Sequence, residues 1–252
     1  MLRKRVIPIV LLDGFSVLKT IKFDVRRNLG SPITVARTYN TRNVDELVLL
    51  DIDATKQNRC IDKFTIAEVA NECFMPLTVG GGISKIKDIR ELLVRGADKV
   101  CINSHALKAP EFITEASEIF GSQCIVVSID VVRQADDYFV FSNGKVLHNK
   151  DLISWIKEVE ALGAGELLIN SVAKDGGMTG GDSTLASLVV DNTSIPVIYV
   201  GGISSPQDAL RLARTNVSGI GAASIFHFTN FTPSDCKLAM KSGGVPVRTG
   251  DS

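Results

Sequence analysis

The chain of 252 residues carries 28 basic and 28 acidic side chains, so it has no net charge to gather nucleic acid or an anionic membrane surface. No apolar run reaches the ~18 residues of a membrane-crossing helix, and the opening MLRKRVIPIVLL enters a strand pattern without a small-residue cleavage site, so the sequence reads as a soluble cytoplasmic protein. The cysteines (Cys60, Cys73, Cys101, Cys124, Cys236) are scattered without CxxC spacing, and His105, His148 and His227 lack metal-ligand spacing, so buried thiols are expected, with no metal and no cofactor.

Eight short β-rich runs follow one another along the chain. RVIPIVL (5–11) begins on Arg5 and ends on Leu11, with Asp13 two positions later and Lys19 beyond it. ELVLLDI (46–52) begins on Glu46. PLTVGG (76–81) leads into Gly80-Gly81-Gly82, then Ile-Ser and the helical pattern KIKDIRELLVRG, for which Ser84 is the expected cap. DKVCIN (98–103) carries Lys99 at its start and delivers Asn103 and Ser104 at its end. CIVVSID (124–130) ends on Asp130. The insertion after it, about 131–148, alternates β-formers around Asn143-Gly144, the signal of a type I′ hairpin, which would stand over one end of the fold. ELLINS (166–171) begins on Glu166 and leads into AKDGGMTGGD, which holds Asp175 and Gly176. PVIYVGG (196–202) ends on Gly201-Gly202, followed by Ile-Ser and a helix capped by Ser205 before Pro206. GIGAAS (219–224) supplies Ala223 and Ser224, and Ser234 precedes the last helical pattern.

Strand and helix alternate throughout, and the strands are nearly continuous apolar runs, as expected where a parallel sheet is covered on both faces. The fold class is therefore α/β, a single (β/α)8 TIM barrel. Three pairs share one offset of 120 residues: Glu46 with Glu166, Ile83 with Ile203, and Ser104 with Ser224. That repetition reads as a half-barrel duplication, with halves of roughly 1–122 and 123–240.

The glycine loops after the third and seventh runs either serve as tight turns or let the backbone approach an anion at a helix N-terminus. Two such loops half a barrel apart, each joined by small polar residues of the next run (Asn103 and Ser104, Ala223 and Ser224), favour a ligand with two phosphate groups spanning the mouth. The loop with Asp175 and Gly176 is a flap, a further N–H cradle or a plain connection. Asp130 would point into the mouth from an apolar strand, as a general acid/base or substrate anchor, or else cap the turn into the hairpin. Its counterpart in the first run, at an offset of 119, is Leu11, which can neither give nor take a proton. Arg5, Glu46, Lys99 and Glu166 converge on the opposite end, where two cations face two anions; taken alone they read as a salt-bridged plug.

The runs RVIPIV, DELVLLDIDA, PLTVGGGI, RGADKVCIN, FGSQCIVVSID, GAGELLINS and AASIFHF, in this order, resemble the cyclase subunit of imidazole glycerol phosphate synthase over nearly the whole chain. That family is a (β/α)8 barrel using ammonia from a glutaminase subunit. The resemblance implies phosphate or substrate contacts at Gly81, Gly82, Asn103, Ser104, Asp175, Gly176, Gly201, Gly202, Ala223 and Ser224, a flexible-loop lysine at Lys19, and an ammonia gate at Arg5, Glu46, Lys99 and Glu166 facing the glutaminase at the N-terminal end. It also implies one catalytic aspartate at Asp130. The second falls on Leu11, with Asp13 as a displaced substitute, and Ala173 and Gly177 stand where the family has an acid and a threonine. These departures resemble a branch serving amidino-sugar synthesis for surface polysaccharide, which implies a sugar amidotransferase as a further partner. The alternatives are an authentic cyclase of histidine biosynthesis and a silent barrel that only activates its glutaminase.

Overall fold

The structure is a computed structural model describing residues 3–19, 27–42 and 44–248, without the side chains of residues 19 and 27–29. In chain order the elements are β1 (Arg5–Asp13), β2 (Ser16–Lys19), β3 (Arg27–Gly30), α1 (Pro32–Thr41), β4 (Leu47–Asp51), α2 (Lys63–Ala70), β5 (Leu77–Gly80), α3 (Ile86–Val94), β6 (Lys99–Ile102), α4 (Ser104–Lys108), α5 (Glu111–Phe120), β7 (Ile125–Gln134), β8 (Asp137–Ser142), β9 (Lys145–Asp151), α6 (Leu152–Ala161), β10 (Glu166–Ser171), α7 (Ser183–Val190), β11 (Val197–Val200), α8 (Pro206–Ala213), β12 (Gly219–Ala222), α9 (Ser224–Phe228) and α10 (Pro233–Ser242).

Eight strands, β1, β4, β5, β6, β7, β10, β11 and β12, pair in parallel in that order, and β12 returns to β1, closing a (β/α)8 barrel from the eight apolar runs. The period-two geometry of a strand explains why those runs are continuous. One set of side chains (Ile7, Ile9, Val48, Cys101, Val126, Leu168, Ile198, Val200) fills the barrel interior. The alternate set (Val6, Val10, Leu47, Leu49, Val100, Val127, Leu167, Tyr199) packs beneath the helices. Each fully buried aliphatic chain contributes roughly 1.5–3 kcal/mol, so a polar residue inside this pattern has to be explained.

Several elements recur at one spacing: Leu77–Gly80 with Val197–Val200, Lys99–Ile102 with Gly219–Ala222, Lys63–Ala70 with Ser183–Val190. The half-barrel reading rests on this recurrence. Two hairpins break the symmetry. After β7 the chain turns at Ala135, and then at Asn143 (φ 50°) and Gly144 (φ 78°), the two successive positive φ angles of a type I′ turn. β9 runs on to Asp151, beyond the expected end at 148, because Asp151 caps α6 by accepting the Ser154 N–H. The antiparallel pairing of β1, β2 and β3 was not foreseen.

Helix starts differ from the serine expectations in two of three cases. Ser205 caps α8 by accepting the Asp208 N–H. Ser84 does not cap α3, since the chain stays extended through Lys85 (φ −138°, ψ 145°). In α10 the cap is Thr232, in a reciprocal pair with Asp235, because Pro233 fits the first turn and places Ser234 inside the helix. Among the described residues no helix is long and apolar enough to cross a membrane.

Candidate functional site

A cavity of about 1500 Å³ opens at the carboxyl ends of the barrel strands. Its wall brings together Leu11, Gly81, Gly82, Asn103, Ser104, Asp130, Asp175, Gly176, Gly201, Gly202, Ala223 and Ser224, along with Phe141 to Lys145 of the hairpin. Asp13 is not part of this wall. It ends β1 opposite Ser16 in the turn toward β2, and its charge is felt by Arg59. The Lys19 side chain lies outside the described residues.

Both glycine loops have a packing reason for glycine. A Cβ on Gly82 (φ 61°) would lie 1.8 Å from the Arg59 carbonyl oxygen, and one on Gly202 (φ 82°) would lie 2.7 Å from that of Gly180. Glycine content therefore says nothing about a ligand here. Placement does: α3 begins at Ile86 and α8 at Pro206, shortly after the two loops, while α4 and α9 begin at Ser104 and Ser224 beside them. The positive dipole ends at those helix starts make each side of the rim favourable to an anion.

Asp130 sits on the inward face of β7, between β6 and β10. Asn103 Nδ2 donates to its Oδ2 at 2.8 Å and Asn170 Nδ2 to its Oδ1 at 3.0 Å. Burial pushes its pKa up, the two amides pull it down, and the nearby charge of Asp175 pushes it up again. One N–H of the Asn103 side-chain amide is thus taken up by Asp130. Asn170 was missed. Its signal was available, since it is the last inward position of ELLINS and polar in an apolar strand, as Asp130 is in CIVVSID.

At the opposite end, Arg5 Nη1 donates to Glu46 at 2.6 Å and Arg5 Nη2 to Glu166, while Lys99 Nζ reaches Glu46 at 3.1 Å and Glu166 at 2.8 Å. These form a closed ring of alternating charge beneath Ile7 and Val48. The glutamate side chains are 2% and 7% exposed and the cations 22% and 20%, so the anions face the barrel and the cations face outward. Thr78 Oγ1, not anticipated, donates to Glu46 at 2.8 Å.

A family profile described as histidine biosynthesis protein matches residues 5–232. The chain belongs to this family. It is 46% identical over 252 residues, 98% of this chain and 100% of the relative, to the imidazole glycerol phosphate synthase subunit HisF of Staphylococcus saprophyticus. It is 44% identical over 248 residues, 98% of this chain and 99% of the relative, to the putative imidazole glycerol phosphate synthase subunit hisF2 of Campylobacter jejuni. It is 40% identical over 251 residues, with 98% and 100% covered, to subunit HisF of Streptococcus mutans.

In this member of the histidine biosynthesis family the wall facing Asp130 is apolar. Leu11 lies four strands from Asp130 around the barrel, pairs with Leu50, and packs with Leu50 and Ala223 against the interior cluster. A carboxylate does stand close by, at the end of β4. Asp51 is fully buried, but it accepts from Arg59 Nη1 at 2.5 Å and from the N–H groups of Asp53 and Ala54 at 3.1 Å each. That saturation makes Asp51 an anchor for the loop packed on Gly82. Asp175 is buried in the loop after β10, where Gly176 takes φ 65° and Met178 φ 44°. Cys101 and Cys236 are buried as expected, while Cys60, Cys73 and Cys124 are half-buried.

Proposed function

We propose that this chain is a cytoplasmic, HisF-type synthase subunit that receives ammonia from a glutaminase partner at its N-terminal face. It acts on a phosphorylated ligand held across the barrel mouth, and its chemistry has diverged from ring closure toward amidino-sugar synthesis, with a sugar amidotransferase as a further partner. The observation that carries the reading is the apolar wall of Leu11 and Leu50 facing Asp130. Ring closure in the histidine pathway, with ammonia replacing a carbonyl oxygen and a C–N bond breaking, needs proton exchange on two sides of the substrate. General acid/base catalysis at one position is worth about 10²–10⁴-fold, and leucine supplies none of it.

The supporting parts are spatially consistent. Neutral ammonia passing the charge ring would travel along Ile7, Val48, Cys101 and Leu168 to the level of Asp130, without leaving a buried charge unpaired. Helix starts near Gly82 with Ser104, and near Gly202 with Ser224, provide two anion-favouring ends. Crystals soaked in phosphate are expected to show both rim positions filled; two empty positions would count against the ligand class.

Identity over full length to relatives named as imidazole glycerol phosphate synthase subunits favours a second reading, an authentic cyclase. Purified protein assayed with ammonium salt and the histidine-pathway substrate separates the two. The proposal expects turnover at least about 10²-fold below that of Leu11→Asp. Wild-type turnover that Leu11→Asp fails to improve would establish the second reading. Inactivity of both proteins, with glutamine hydrolysis by the partner still stimulated, would leave a barrel that only activates the glutaminase.

A further inference from the structure

A buried carboxyl group needs different neighbours in its two charge states. The neutral form has an O–H to donate and suits one accepting and one donating neighbour, whereas the carboxylate only accepts. Asp130 is flanked by two primary amides, and both turn their N–H groups toward it, one to each oxygen. The cost falls on the far side of each amide. Asn103 Oδ1 and Asn170 Oδ1 are buried, and neither has a hydrogen-bond partner. Rotating one amide by a half-turn would bring its carbonyl oxygen against Asp130, a contact that suits a neutral carboxyl and repels a carboxylate. Two orphaned oxygens at one place are a penalty that folded proteins seldom carry. Here they accompany two donors on a single carboxyl group.

We propose that Asn103 and Asn170 are paired positioning residues that hold Asp130 as a carboxylate, one donor per oxygen, so that it stands ready to accept a proton rather than to give one. The inference rests on the reading of Asp130 as the proton carrier of the cavity, but on no particular substrate. The other surroundings favour the opposite charge state. Burial penalises the charge, and Asp175 adds like charge from the loop after β10. From β6 the titratable neighbour is Cys101, a thiol pushed up to about 12 by burial and so uncharged. Across the hairpin ladder stands Phe141. Lys99 and Glu166, on the two neighbouring strands, are bound to each other in the ring at the other end of the barrel. Among the described residues no cation pairs with Asp130, and the charge is left to the two amides.

The test is a carbon-13 NMR titration of the full chain labelled in its aspartate carboxyl groups, with the Asp130 signal assigned by its loss in Asp130→Asn. The wild type is expected to carry a carboxylate at pH 7. Asn103→Leu and Asn170→Leu should each raise the midpoint by about one pH unit or more, a tenfold gain in proton affinity, because each removes a donor that favours the charged form. Asn170→Val, which suits a strand, serves if the leucine variant does not fold. A wild-type Asp130 still protonated at pH 7 would overturn the inference, as would unchanged midpoints in the folded variants. The titration needs no turnover, so an inactive protein with the expected midpoints would sink the proposed function and leave this inference standing.

Discussion

Asp130 and Leu11 occupy related places on opposite strands of one barrel, and their difference sets what the cavity can do. A carboxyl group whose folded pKa is raised by burial gives stability that is present below its ordinary range and lost as pH rises through the folded value. At neutral pH Asp130 is therefore a net burden on the fold. Asp130→Asn is expected to raise Tm by ~3 °C at pH 7 and to flatten the fall in stability as pH rises above the ordinary carboxylate range, while removing any proton transfer. The new amide can also donate to the oxygen of one flanking asparagine once that asparagine's amide has rotated by a half-turn. Equal melting temperatures at pH 7, with the same pH dependence, would mean that the buried carboxylate carries no such burden. Asp51 differs from Asp130 by its partners, because its oxygens accept from the Arg59 guanidinium and two backbone N–H groups. Nothing in DELVLLDIDA distinguishes those two fates, since Arg59 lies eight residues on and folds back only with the loop.

The hairpin formed by β8 and β9 is tied to the loop after β10 by one side chain. Tyr138 donates its hydroxyl to the Asp182 carboxylate at 2.9 Å, and Asp182 in turn caps α7 and donates its N–H to the Tyr199 hydroxyl at 2.7 Å. Tyr138→Phe should loosen the hairpin over 137–151 at a cost of about 1.5–3 kcal/mol for a hydrogen bond to a charged group. Hydrogen exchange is the direct measurement, with faster exchange expected in the hairpin and none in β4 to β6. At the other helix of interest, Thr232→Ala should cost ~1 kcal/mol through loss of the cap on α10, read as a fall in the denaturant midpoint, whereas Ser234→Ala should leave it unmoved. The elements themselves were legible because period-two and helical patterns are local. Cap positions were less so, because proline and the preceding extended residue decide where the first turn closes.

At the scale of the whole barrel, four residues from β1, the start of β4, β6 and β10 meet as a ring whose members are separated by up to 161 positions in sequence. Lys99→Ala leaves Glu46 and Glu166 sharing Arg5 alone, and breaking one side of a buried pair costs about 3–5 kcal/mol. If the ring is the proposed ammonia gate, glutamine-driven activity should fall in a variant that remains folded while ammonium-driven activity stays near the wild-type value, because added ammonium would reach the mouth without passing the ring. Equal losses with both nitrogen sources, tracking a lower Tm, would reduce the ring to a structural plug.

The barrel and its strand order along the chain were legible in the sequence itself, because eight runs that each carry an inward and an outward apolar set call for a parallel sheet covered on both faces, which a (β/α)8 barrel provides. Asp130, the glycine loops and the four ring residues stood out there as polar or flexible breaks in apolar runs. Only the tertiary structure decided which partners those groups meet. Asn103 and Asn170 are 67 positions apart in the chain, and they become the two donors on Asp130 solely because β6 and β10 flank β7. Asp13, two positions beyond Leu11, ends β1 opposite Ser16 in the turn toward β2, and only the fold sets its charge beside Arg59. Charge state and proton transfer depend on distances of about 3 Å, and such distances are set by neighbouring strands rather than by neighbouring residues.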